Sequence, residues 1–156
     1  MDSFRHIRQR VMVTAIVCTR GFVAQLAFGV SAIVEDEAGR VVLIRPRLGA
    51  GWALPGGGVG AHEPPEDAIL REAREEVGLI ECGSPELLGL YTRPVAWATN
   101  LVALYRLPRA RIAFKPNLEV REAAWVDPEA PPPGTQVAVA RRLAEFTGRI
   151  PRRAHW

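Results

Sequence analysis

The chain has very little cysteine. Its 156 residues include only two, Cys18 and Cys82, and neither belongs to a Cys-x-x-Cys pair. Two cysteines are too few for a disulfide framework, and without paired spacing they do not predict a zinc site. The sequence therefore predicts a protein of the reducing cytoplasm, in which each thiol is a small buried side chain.

Long apolar runs are also missing. The most apolar stretch, residues 11–19, ends at Arg20, well short of the roughly 20 residues that a bilayer-spanning helix needs. We therefore expect no transmembrane span. Residues 1–22 are predicted to form an N-terminal helical extension packed on the domain, with a segment lying on a membrane surface as the alternative.

Lysine is almost absent, because Lys115 is the only one, and arginine carries nearly all the positive charge. The formal net charge is +3 and the isoelectric point is about 9.4. The basic residues are scattered and form no strip with aromatic residues, so nucleic acid is not expected as a partner. A mildly positive field suits a small anionic ligand such as a phosphate ester.

The remaining composition, 48% hydrophobic and 24% charged, is typical of one folded domain, which we place at residues 23–148. Apolar residues 23–34 predict a strand, followed by an acidic turn that ends in glycine and by a return strand over 40–45. The other expected elements are strands at 86–92 and 100–106, a loop or strand edge over 92–98, a turn and strand within 114–126, a helix at 135–147, and a disordered basic tail at 149–156.

Three glutamates stand out within a predicted helix that begins near Pro65 and ends at Gly78. Glu72, Glu75 and Glu76 have spacings of three and four residues, which put side chains on one helix face. Like charges at these spacings repel by ~0.2–0.5 kcal/mol per pair on an exposed helix, so a bound cation best explains them. Ligands that are all oxygen favour a hard ion, Mg²⁺ or Mn²⁺.

The same helix carries an apolar stripe formed by Leu70, Ala73 and Val77. We expect this stripe to pack into the protein, roughly opposite the three glutamates. A glycine-rich turn, residues 54–58, lies just upstream of the helix.

This segment resembles the Nudix box, the signature of the Nudix hydrolase (MutT-like) superfamily. The resemblance extends over about residues 26–148, although only the box and the glycines before it are diagnostic. Ala73 is smaller than the usual aliphatic residue, and Gly60 and His62 replace the residues usually found before the box glutamate. The box positions are filled, in order, by Gly57, Glu63, Arg71, Glu72, Ala73, Glu75, Glu76, Gly78 and Leu79.

The resemblance implies an α+β protein with the Nudix fold, an α/β/α sandwich around a mixed β-sheet. It also implies Mg²⁺-dependent hydrolysis of the diphosphate linkage in a nucleoside diphosphate derivative, such as ADP-ribose or a nucleotide sugar, by attack of water on phosphorus. Divalent ions suit this chemistry because they neutralise phosphate oxygens and activate water. Nudix folds often dimerise, so a homodimer is left open.

The resemblance also implies roles for individual residues. Arg71 is expected to orient neighbouring carboxylates such as Glu63 or Glu75, and Glu63 to anchor the loop. The metal ligands would be Glu72, Glu75 and Glu76, together with the backbone carbonyl of Gly57. The general base is left open among Glu72, Glu75, Glu119 and Glu122.

Outside the box, Arg45 and Arg93 are candidate phosphate contacts and Trp97 is a candidate for stacking on the substrate, whereas Trp52 is expected in the core. Two other functions remain open. The domain could bind a nucleotide ligand without catalysis, or it could be a diphosphate isomerase of the isoprenoid type. The isomerase chemistry needs a cysteine, and Cys82 is the only one near the box.

Overall fold

The computed structural model describes residues 26–95 and 98–156. The predicted N-terminal helix, Cys18 and Trp97 lie outside these described residues. The elements of the described part are, in chain order, β1 (Leu26–Val34), β2 (Val41–Pro46), β3 (Gly56–Gly58), α1 (Pro65–Val77), β4 (Leu79–Glu81), β5 (Glu86–Val95), β6 (Ala98–Leu107), β7 (Arg111–Ile112), β8 (Val120–Val126) and α2 (Val137–Phe146).

The main sheet has the strand order β3-β1-β6-β5 and is mixed. β1 runs parallel to β6, whereas the pairs β1–β3 and β5–β6 are antiparallel. Two smaller antiparallel pairs, β2–β8 and β4–β7, complete the described sheets. β1 is therefore a central strand, and its apolar sequence suits burial on both faces.

The two helices cover opposite faces of the main sheet. α1 buries Ala68, Ile69, Ala73 and Val77 in one apolar cluster, which also contains Val30 of β1. α2 buries Val139 and Leu143 in a second cluster, which contains Ile33, three residues further along β1. Successive residues of a strand face opposite ways, so β1 serves both clusters. The arrangement is the α+β one expected, an α/β/α sandwich around a mixed sheet.

The turn after β1 forms as predicted, but β2 is not its return strand. Asp36 accepts hydrogen bonds from the backbone N–H groups of Ala38 (2.9 Å) and Arg40 (2.8 Å), and Gly39 has a positive φ of 78°. Beyond a single bridge from Glu35 to Val41, β2 leaves β1 and pairs with β8. The prediction of a hairpin was wrong because β3 and β6 already occupy both edges of β1.

Two other segments are more extended than the sequence predicted. The glycines expected only to turn form β3, in which Gly57 pairs with Val30. Residues 92–95 continue β5 instead of forming a loop, and Pro94 pairs with Thr99 of β6. Proline is tolerated there because β5 is the edge strand of the ladder, where a missing N–H costs no sheet hydrogen bond.

The basic tail is not disordered, contrary to our expectation. The backbone N–H of Thr92 donates to the carbonyl of Ala154 (2.9 Å), and the N–H of Trp156 donates to the carbonyl of Thr92 (3.0 Å). A parallel bridge joins Thr92 to His155. The tail is ordered because it satisfies backbone groups along the free edge of β5.

Among the described residues, no helix is both long enough and apolar enough to cross a membrane.

Candidate active site

The glycine strand β3 lets the carboxylates of α1 approach the backbone closely. A Cβ atom added to Gly57 would collide with the carboxylate of Glu72, so only glycine leaves room for that side chain. Gly56 has a φ of 152°, and a Cβ there would collide with the backbone of Val30. Gly56 therefore depends on the missing side chain for its backbone conformation, and Gly57 depends on it for the space that Glu72 occupies.

Glu76 lies beneath this strand and is only 7% exposed. The backbone N–H of Gly56 donates a hydrogen bond of 2.7 Å to its Oε2 atom. Burial is the main cause that raises the pKa of Glu76 to about 7; the Gly56 hydrogen bond opposes it, and the charges of Glu72, Glu119 and Glu75 add to it. Glu76 is thus a desolvated carboxylate surrounded by like charge, an environment that a cation would relieve.

Arg71 holds several of the neighbouring carboxylates. Its Nε and Nη2 atoms donate to the two oxygens of Glu63, at 2.8 and 3.0 Å. Its Nη1 donates to Glu72 at 2.8 Å and, more weakly, to Glu75 at 3.3 Å. Nη2 also reaches the carbonyl of Gly58 at 3.0 Å. The guanidinium therefore ties the α1 carboxylates to the glycine strand, and its own pKa is raised by these partners.

Glu63 anchors the loop before α1. It accepts both Arg71 hydrogen bonds and a third, of 2.8 Å, from the backbone N–H of Gly60. The hydrogen bonds from Arg71, followed by the one from Gly60, lower the pKa of Glu63 to about 2. A carboxylate that is this well paired stays ionised and serves to fix the loop.

The apolar stripe of α1 packs into the protein as expected, but the helix does not present all three glutamates to solvent on its other face. Glu72 and Glu76 are buried beside Ala73 and Val77, while Glu75 is exposed. Burial is tolerated because Arg71 and the Gly56 N–H satisfy the two buried carboxylates. The helix bounds themselves are confirmed, with Pro65 in the first turn and Gly78 in the left-handed conformation at the C-terminal cap.

The donor set fits a hard divalent cation. Glu72, Glu75 and Glu76 offer only oxygen, and Glu72 lies against the backbone of Gly57. Within residues 26–95 and 98–156, no three acidic, histidine or cysteine side chains already meet closely enough to hold an ion. Glu72 and Glu76 instead each direct one oxygen to a protein donor, Arg71 or Gly56.

A loop between β7 and β8 brings Glu119 to this cluster, through a residue that the sequence reasoning missed. The side-chain amide of Asn117 donates to the carbonyls of Glu75 (3.1 Å) and Glu76 (3.2 Å) at the end of α1. Its Oδ1 accepts the backbone N–H groups of Glu119 (3.0 Å) and Val120 (2.8 Å). An asparagine in a proline-preceded turn was the available signal, but it could not reveal the distant partner.

Glu122 is held elsewhere. On β8 it lies opposite Arg45 of β2, and their charged atoms are 3.5 Å apart. The guanidinium of Arg45 also stacks on Trp52, 4.5 Å from the ring centre. Trp52 is 5% exposed and belongs to the core, as predicted. The structure thus brings Arg45 to Glu122 and Trp52, and it brings Glu119 to the α1 carboxylates.

A cavity of about 400 Å³ lies on the other side of the glycine strand, towards α2. Arg93 lines it, whereas Trp97 falls outside the described residues. The sequence reasoning missed the other polar and aromatic lining residues because distant segments supply them. Among these residues are Asn100 of β6, Gln136 before α2, and Trp156 of the tail.

Comparison with known proteins agrees with this geometry. The NUDIX domain family profile matches residues 25–147. A MutT-like protein of Streptomyces ambofaciens is 30% identical over 116 residues, which cover 74% of this chain and 68% of that protein. An RNA pyrophosphohydrolase of Halorhodospira halophila is 41% identical over 83 residues, 53% of this chain and 41% of that protein. The match thus spans less than half the length of that relative.

The fold is also found among solved structures. The crystal structure of a MutT NUDIX hydrolase from Burkholderia pseudomallei superposes with a TM-score of 0.66 and 24% identity, covering 76% of this chain and 96% of that one. At this identity the likeness bears on the fold alone. Together with the profile match over most of the chain, it agrees with the signature read from the sequence, and the chain belongs to the NUDIX domain family, within the Nudix hydrolase (MutT-like) superfamily.

Proposed function

We propose that this protein is a Mg²⁺-dependent hydrolase, with Mn²⁺ as an alternative ion, that cleaves the diphosphate linkage of a nucleoside diphosphate derivative. One observation carries the proposal: two buried carboxylates, Glu72 and Glu76, lie against a side-chain-free strand that also lines a cavity. The name of the Halorhodospira relative, RNA pyrophosphohydrolase, supports a pyrophosphate bond as the target.

The proposed ligands are Glu72, Glu75 and Glu76, with the backbone carbonyl of Gly57. When bound, a divalent cation supplies charge neutralisation on phosphate oxygens and lowers the pKa of a water molecule. Arg71 is a positioning residue, because its hydrogen bonds reach Glu63, Glu72 and the Gly58 carbonyl rather than open solvent. Losing it would free several carboxylates at once.

Glu119 is the strongest candidate for the general base that takes a proton from the attacking water. It is exposed, it lies close enough to raise the pKa of Glu76, and Asn117 ties its loop to the end of α1. Glu75 is the next candidate, being exposed and only weakly paired with Arg71. Glu122 is disfavoured because Arg45 already neutralises it.

The panel that tests the function contains ADP-ribose, nucleotide sugars, dinucleoside polyphosphates and nucleoside triphosphates. We expect Mg²⁺-dependent turnover of at least one of these, giving a monophosphate and a second phosphorylated product. Absence of turnover on every member, with Mg²⁺ or Mn²⁺, contradicts the proposal.

The base assignment has its own test, based on matched substitutions. Replacing Glu119 with Gln is expected to lower kcat by about 10²–10⁴-fold, the usual range for a general base. Glu122→Gln is the control, because it removes the same charge three residues later, on β8. This substitution should change kcat by only a few-fold. Equal losses in the two variants would remove Glu119 from this role.

Two alternatives are less well supported. Cys82 lines a separate pocket with Leu70 and Arg74, on the helix face away from Glu72 and Glu76, so an isomerase would lack its cysteine at the carboxylates. A binding domain without catalysis would not need the full set of box carboxylates. Product masses separate these functions, since hydrolysis adds water and isomerisation does not. A cytoplasmic location remains part of the proposal, and whether the protein forms a homodimer is left open.

A further inference from the structure

Residues 152–156 run along the edge of β5, and the last of them, Trp156, lines the cavity next to the glycine strand. The bridge between Thr92 and His155 is parallel, so Trp156 comes beside Arg93, one residue further along both segments. Arg93 lies opposite Asn100 of β6, and Asn100 lies opposite Ala27 of β1. Directly paired residues share a sheet face, so these four residues form a row, and all four line the cavity.

Strong contacts hold this segment in place. The buried side chain of Arg142 donates to the carbonyl of His155 (3.2 Å) and to Glu145 (2.8 Å). The backbone N–H of Arg153 also donates to Glu145, at 3.1 Å. The segment is therefore fixed both to α2 and to β5. A free tail that touched the domain by accident would not make contacts to two separate elements.

The indole of Trp156 is half-buried and presented to the cavity. Tyr91 packs against it at an interplanar angle of 82°, with 5.7 Å between ring centres, and the guanidinium of Arg142 is 5.8 Å from the centre of the indole. These neighbours fix the ring while the cavity leaves part of it uncovered. A preorganised aromatic ring of this kind binds a flat aromatic ligand at low entropic cost.

The floor of the cavity supplies polar groups beside the ring. Gly29 has no side chain, and a Cβ there would lie 3.7 Å from Oδ1 of Asn100, so glycine leaves that amide uncovered. An amide offers both a donor and an acceptor, which suits the edge of a nucleobase. Across the sheet, residues 152–156 are followed by β5, β6, β1 and β3. At ~4.8 Å between neighbouring strands, the backbones of Trp156 and Gly58 are about 19 Å apart. A nucleoside and its phosphates can fill this distance.

We propose that residues 152–156 complete the ligand site and that Trp156 stacks on the nucleobase, making the enzyme selective for diphosphates that carry a base. This inference rests on the proposed function, because the phosphates must reach the carboxylates at the other side of the glycine strand. The stacking role predicted for Trp97, which lies outside the described residues, stays a separate prediction.

The kinetic test compares two substrates in each variant: the nucleoside diphosphate derivative turned over fastest, and a base-free diphosphate, 5-phosphoribosyl 1-diphosphate. Trp156→Ala should lower kcat/KM for the base-bearing substrate by about tenfold, mainly through KM, and change the base-free reaction less than about twofold. Trp156→Phe should recover most of the loss, whereas Trp156→Leu, which keeps apolar bulk without a ring, should not.

Trp125→Ala is the matched control. This indole is also half-buried and also lies near an arginine, Arg40, but it is on β8 and outside the cavity lining. It should leave the ratio of the two kcat/KM values unchanged. Equal losses of Trp156→Ala on both substrates, or full recovery by Trp156→Leu, would overturn the stacking role.

A binding measurement separates this inference from the proposed function. The indole N–H signal of Trp156, assigned in ¹⁵N NMR spectra by its loss in Trp156→Phe, is followed without divalent ions. Adding AMP should shift it, and adding ribose 5-phosphate should not. A shift without any hydrolysis supports the ligand site while the proposed reaction fails. If nucleoside diphosphate substrates are hydrolysed but AMP does not shift the indole signal, the inference is rejected and the proposed function stands.

Discussion

Helices α1 and α2 each carry an arginine–glutamate cluster, but the two clusters differ in charge balance. At α1, the single guanidinium of Arg71 contacts three carboxylates, and a fourth, Glu76, is buried beside them. At α2, Arg142 faces Glu145 with side chains 0% and 2% exposed, and Tyr91 donates its hydroxyl to the same carboxylate at 3.2 Å. An excess of buried negative charge indicates a cation site, whereas a balanced buried pair serves to hold chain segments together.

The largest expected effect comes from unbalancing the neutral cluster. Arg142→Met leaves Glu145 buried without a counter-charge, so we expect a loss of about 3–5 kcal/mol in the free energy of unfolding. Urea denaturation measures this loss. The double variant Arg142→Met with Glu145→Leu removes both charges and should recover much of the stability. If Arg142→Met alone were as stable as the wild type, the buried pair would not be needed to hold the chain segments together.

Removing a charge from the α1 cluster should have the opposite effect on stability. Glu76→Gln removes a desolvated charge that like charges oppose, so stability without metal should not fall. Turnover, however, should drop at least about a hundredfold, beyond the range seen for residues that only support a ligand. Steady-state kinetics and thermal unfolding of one preparation measure both. Loss of stability together with retained turnover would reverse our assignment of the two clusters.

The smallest effect concerns Glu63, the carboxylate of the loop before α1, which Arg71 pairs most fully. Its pKa is about 2 in the folded protein, below the ordinary 4.5, so its contribution to stability is present above pH 4.5 and is lost as the pH falls towards 2. Acid unfolding of Glu63→Gln should therefore lack this part of the pH dependence. Identical acid transitions in the variant and the wild type would contradict the pairing.

Local spacing was enough to predict helix α1 and the positions of its glutamates. The bounds of the helix, the cap at Gly78 and the grouping of the glutamates all depend on residues within a few turns of each other. The burial of Glu72 and Glu76 could not be read in this way, because it depends on how β3 lies over the helix. A glycine run reads as a turn until its pairing with β1 is known.

Long-range contacts account for what the sequence did not reveal. The tail is polar and basic, yet Arg142 of α2, 13 residues before His155, contacts both His155 and Trp156. Asn117 and Glu75 are 42 residues apart in sequence and meet through one hydrogen bond. No local periodicity encodes such pairs, since each depends on two elements meeting in space.

The strand Gly56–Gly58 gives the molecule a partition only one backbone thick. Its amide and Cα groups meet the carboxylates on one side, and the same three residues wall the cavity on the other. The chemical step and the choice of substrate can therefore be altered separately. Redesigning the far wall at Asn100, Gln136 or Trp156 should retune selectivity, whereas a methyl group at Gly57 would collide with the carboxylate of Glu72 and disturb the acidic side of the strand.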